Sequence, residues 1–70
     1  MNTRAKFVVT EKLENQYNFK FTMSPVVSGS PENEAFFKTT PGGQLTIQVA
    51  KTLGELFVVN KSYYLDFTEA

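Results

Sequence analysis

A chain of 70 residues with no cysteine and no histidine has neither disulfides nor the usual zinc ligands, so apolar packing must stabilise it. Seven Phe and three Tyr supply that packing in one expected domain, residues 1–70, of a size that buries only about 60% of its unfolded surface. Seven Lys/Arg, scattered singly, balance seven Asp/Glu, which argues against the basic stripe of a duplex nucleic-acid binder.

In chain order, Ala5, Phe7 and Val9 alternate with polar or smaller neighbours and predict a first strand. Leu13 to Gln16 reads as the loop of a hairpin. Tyr17, Phe19, Phe21 and Met23 then alternate with Asn18, Lys20, Thr22 and Ser24, the period of a strand with one buried face. Pro25 cannot donate to a ladder, so this strand ends there or lies at an edge. Ser30-Pro31-Glu32 is a helix start: the serine caps, the proline suits the first turn and the acid favours the positive end of the dipole. The helix is expected to run to about Thr39 and to be stopped by Pro41-Gly42-Gly43. Leu45, Ile47 and Val49 mark a third strand, and Ala50 to Phe57 holds at most one or two helical turns around Gly54. Tyr63, Leu65 and Phe67 face inward on a last strand, which leaves Asp66 in water. Phe19, Phe21, Leu45, Ile47, Leu65 and Phe67 are the expected core.

This β-β-α-β-α-β order predicts a mainly β (β-rich α+β) fold. Its architecture is a small open OB-like barrel of four to five antiparallel strands with one or two short helices, the longer one plugging an end. A flat α+β sandwich is the alternative. A homodimer covering an edge strand would supplement so small a core. The longest apolar run, Leu56-Phe57-Val58-Val59, is far below the ~20 residues of a membrane span, so no membrane association is expected and a cytoplasmic location is.

Few residues suggest chemistry. No Ser stands in a nucleophile-elbow setting, and Glu32 and Glu34, two apart on a helix, diverge. Thr40-Pro41-Gly42-Gly43 lacks the Lys-Ser/Thr ending of a phosphate loop, and no cluster of oxygen ligands suggests calcium or magnesium. Hence no catalytic residue, no cofactor and no metal is expected, and the chain reads as a non-enzyme. The residues open to a binding role are aromatic. Phe36 and Phe37 are neighbours about 100° apart on the helix, so a narrow stripe would bury only one fully: either both reach the core at its margin, or one ring stays partly exposed for a partner. Tyr64 stands on the polar face of the last strand. With Lys20 on the same surface, these rings would make a small stacking platform.

The segments Ser24-Pro25-Val26-Val27-Ser28-Gly29-Ser30-Pro31-Glu32-Asn33, Phe36-Phe37, Thr40-Pro41-Gly42-Gly43 and Tyr63-Tyr64-Leu65-Asp66-Phe67 resemble a group of short proteins from tailed bacteriophages and prophages. In that group a strand ending near Ser-Pro-Val leads into Glu-Asn, an aromatic pair, a Thr-Pro-x-Gly turn and a closing Tyr-Tyr-Val-Asp-Phe strand. The likeness runs from about Arg4 to Thr68 and departs at Asn60-Lys61-Ser62, where the group more often has a Gly-Lys turn. It implies a viral origin, hence the host cytoplasm, and no particular activity. The expectation is a phage accessory protein that binds a host or phage protein, for example to inhibit host machinery or defence. The alternative is a single-stranded nucleic-acid or nucleotide-ligand binder using an exposed aromatic face.

Overall fold

The computed structural model describes residues 4–38 and 40–70. Its elements are β1 (Arg4–Glu14), β2 (Asn18–Pro25), α1 (Pro31–Phe37), β3 (Leu45–Ala50), a single 3-10 turn at Lys51–Leu53, and β4 (Ser62–Asp66). The strands form one antiparallel sheet in the order β3-β2-β1-β4, curled into a half-barrel whose outer strands do not meet. The expected small open barrel is therefore present, with four strands. Thr39, the expected end of the helix, lies outside the described residues.

β1 runs further than its alternation suggests. The register against β2 shifts between Val9 and Glu11, so one extra residue, Thr10, is accommodated as a bulge. A one-residue shift exchanges the two faces of a strand. Beyond the bulge, Lys12 lies opposite Phe21 and Glu14 opposite Phe19, while Leu13 turns outward and is exposed. The Lys12 ammonium sits 5.0 Å from the Phe19 ring centroid, and Lys51 approaches the same ring at 5.3 Å. Each such contact contributes about 0.5–1 kcal/mol at an exposed site. The bulge thus gives the mouth of the half-barrel a cationic cover over its rings.

The core lies on the concave face. Ala5, Phe7, Val9, Phe21 and Met23 are buried, and Phe19, Phe37, Leu45, Val49, Phe57, Tyr63 and Leu65 pack around them. Two expected members are corrected. Ile47 is 37% exposed because β3 has a neighbour on one side only, and Phe67 is 58% exposed because it lies past the end of β4. Phe57 replaces them. Its ring meets Phe21 edge-on at 5.2 Å and Tyr63 at 5.1 Å, bridging β2 to β4 across the open side. Gly54 permits this approach: a Cβ there would stand 2.6 Å from the Phe19 ring, which explains a glycine where helix propensity disfavours one.

One polar side chain is built into this apolar frame. Where the β1–β2 ladder ends, Val26 donates to the Lys6 carbonyl, but Lys6 does not complete the pair by donating back. Its N–H donates instead to Asn33 Oδ1 (2.6 Å), and Asn33 Nδ2 donates to the Lys6 and Val26 carbonyls (2.8 Å each). The carboxamide of the helix thereby serves as the last rung of the sheet, fully buried.

Two stability measurements test this frame. Phe21→Ala is expected to cost about 3–5 kcal/mol, enough to abolish a cooperative melt in so small a domain. Asn33→Ala strands a backbone donor and an acceptor and is expected to cost about 3 kcal/mol in urea denaturation. A loss under about 1 kcal/mol, within the range of an ordinary surface change, would show that water substitutes for the carboxamide.

Candidate functional site

The elements that hold α1 also decide what it displays. Ser30, in an extended conformation (φ −122°, ψ 105°), caps the helix by accepting from Asn33 N–H, and Lys38 closes it in the left-handed region at φ 67°. With Asn33 fixed in the ladder, Phe37 turns into the core, and Phe36 stays 37% exposed. Glu32 and Phe36 are four residues apart and so share one face of the helix. That face fronts β4 and the chain beyond it.

On this front, Phe36 meets Phe37 edge-on at 5.0 Å and stacks over Phe67 at 6.0 Å with 29° between planes. On β4 the Tyr64 ring, 51% exposed, lies under the Arg4 guanidinium, 4.9 Å from its centroid. Arg4 in turn holds Asp66 with two hydrogen bonds, Nε–H to Oδ1 at 2.7 Å and a terminal N–H to Oδ2 at 3.3 Å. Glu32 accepts from the Ser30 hydroxyl (2.9 Å) and is hydrogen-bonded to Tyr64. Its pKa is lowered by its own backbone N–H first, then by the Ser30 and Tyr64 hydroxyls. The Tyr64 phenol is raised, chiefly by that hydrogen bond to Glu32. Asp66, solvent-facing as expected, completes a cross-strand ion pair.

Of the residues singled out from the sequence, Phe36 and Phe37 are in ring contact, and Tyr64 is tied to the same helix through its hydrogen bond to Glu32. Lys20 does not join them. It pairs with Leu13 of β1, whereas Tyr64 pairs with Lys6, seven residues away along the same strand. At strand rise that is roughly 20 Å. The platform that would have combined Lys20 with the rings is therefore not assembled. Phe67, assigned to the core by its alternation, is the missed member of the patch. Its only sequence signal is its place near the end of the last strand, where inward register no longer guarantees cover.

A separate cleft of about 400 Å³ lies between the β2–α1 connection and Thr40-Pro41, lined by Val26, Ser30, Asn33 and Glu34 among others. In its lining, the Val26 carbonyl and the Ser30 and Asn33 side chains are engaged in the ladder and the cap. Among the described residues, no three or more Asp or Glu side chains converge on a potential metal site, and no helix is long and apolar enough to cross a membrane. No protein family, curated protein or solved structure matches the chain.

The Glu32–Tyr64 bond makes a pH prediction. A lowered carboxyl pKa contributes stability above its ordinary value of 4.5 that is lost as pH falls through the folded value. A raised phenol pKa contributes stability below its ordinary value of 10.0 that is lost as pH rises through the folded value. The stability difference between the wild type and Tyr64→Phe should thus be greatest near neutrality and shrink at both ends, as read by urea denaturation across pH. A difference that is constant with pH would mean that the bond does not hold the ionised carboxylate.

Proposed function

We propose that the protein acts without catalysis, by binding another protein through the surface formed by Phe36, Tyr64 and Phe67. The observation that carries this reading is the stacked, exposed pair Phe36–Phe67. Phe67 projects from the strand end where it adds little to the core, and aromatic rings in such positions are the usual anchors of protein interfaces. The resemblance to tailed-phage proteins directs the search for a partner to host or phage proteins, with inhibition of host machinery or defence as the biological setting.

Single-stranded nucleic acid is the less favoured occupant of the same rings. A stacking site needs cations that follow the phosphates. Here the cations beside Tyr64 are Arg4, already engaged by Asp66, and Lys6, which stands opposite Tyr64 and acts on the Glu32 carboxylate, so two acids offset them. Lys20 is at the other end of the sheet.

Phe67→Ala provides the test. Being largely exposed, it should cost less than about 1 kcal/mol of stability, while capture of a partner from host lysate falls at least tenfold. Unchanged capture by a folded Phe67→Ala would overturn the reading. Loss of affinity for a single-stranded oligonucleotide instead would move the function to the nucleic-acid alternative.

A further inference from the structure

We propose that two copies of this chain pair edge to edge along β3, antiparallel, about a two-fold axis at Ile47. The inference concerns the edge of the sheet opposite β4 and does not depend on the aromatic surface proposed above.

Three observations on β3 carry it. The first is what the edge lacks. Soluble proteins guard free strand edges with Lys, Pro, bulges or cover, but Leu45–Ala50 has no charge, no proline and no irregularity in its register with β2. The other edge, β4, is flanked by Lys61 and carries Asp66 in its ion pair with Arg4.

The second is which backbone groups point outward. Just past β2, Val26 donates to the Lys6 carbonyl of β1, while on β2 the Thr22 carbonyl accepts from the Thr10 hydroxyl and the Asn18 carbonyl from Asn15, just past β1. Even-numbered residues of β2 therefore address β1, and the odd-numbered Phe19, Phe21 and Met23 address β3. Their partners Val49, Ile47 and Leu45 point back at β2, so the peptide groups of Thr46 and Gln48 face outward.

The third is self-complementarity. With Ile47 opposite Ile47 of the second copy, Leu45 falls opposite Val49 and Thr46 opposite Gln48. Leu45, Ile47 and Val49, the apolar residues of one face, then meet apolar residues, and the two outward-facing pairs exchange hydrogen bonds. Shifting the axis to Thr46 or Gln48 also keeps the outward groups paired but leaves an apolar residue overhanging. No charge on β3 opposes its symmetry mate. The two half-barrels would continue as one eight-stranded sheet, with Ile47, 37% exposed in one copy, closed at the centre.

A contact built on six residues per strand is small for a specific interface, so the dimer is reversible and its population rises with concentration. Sedimentation velocity on the full chain over a concentration series should show this. Thr46→Pro, which removes an outward N–H and no bond to β2, should fold as a monomer throughout. The chain has no cysteine, so Ile47→Cys gives a second reading that does not rely on that variant. A non-hydrogen-bonded antiparallel pair brings facing side chains close enough to bridge. Under mild oxidation Ile47→Cys should therefore form a covalent dimer at least tenfold faster than Val58→Cys, an exposed position off the strand. A wild type that stays monomeric at every concentration, or cross-linking of the two variants at equal rates, would overturn the proposal. So would a folded Thr46→Pro that associates as the wild type does.

Discussion

The carboxamide of Asn33 closes the sheet where β2 runs out. A strand pair that ends inside a protein leaves backbone donors and acceptors that cost about 1–3 kcal/mol each if buried without partners. Asn33 satisfies two such groups, the Lys6 N–H and the Val26 carbonyl, and adds a bond to the Lys6 carbonyl, from a helix of seven residues. So short a helix would not persist alone. Its cap at Ser30 and its rung in the ladder are linked through one residue, since the Asn33 N–H is also the one that Ser30 accepts from. Everything α1 displays follows: Phe37 into the core, Glu32 to Tyr64, and Phe36 to Phe67.

Around that anchor the molecule is thin. Its shortest dimension is 16 Å, close to a sheet with a single layer of packed side chains. Phe57 is the ring that joins β2 to β4 across the curled sheet, and Lys12 and Lys51 spread their aliphatic stems and charges over Phe19 at the mouth. Lys51 also donates to the Asn15 carbonyl and pairs with Glu14, tying the β1–β2 turn to the segment after β3.

The two ends of the sheet order play different parts. At β4, ion pair, cation–π contact and carboxylate–phenol bond fill the edge and leave the rings exposed beside it. At β3 the edge is bare, neutral and alternating. A protein that binds through one side and pairs through the other would carry its aromatic surfaces at the two far ends of a continuous sheet, an arrangement suited to a partner with two sites.

Strand periodicity made the body of the fold legible in the sequence. The alternation in Ala5–Val9, Phe19–Met23, Leu45–Val49 and Tyr63–Leu65 has a local cause, since a strand with one wet face must alternate. The helix start was legible for the same reason: a serine cap and a proline act within one turn. What depends on neighbours was not. The bulge at Thr10 is decided by β2, and it turned Lys12 inward and Leu13 out against their parity. Strand order left Ile47 at an edge, and the end of β4 left Phe67 uncovered. Nothing in a run of residues marks Asn33 as a rung of a ladder 27 positions away. The sequence by itself determined which residues are apolar on which face of each element. Only the tertiary structure decided which faces found cover, because burial belongs to the surface a neighbour supplies and not to the side chain that seeks it.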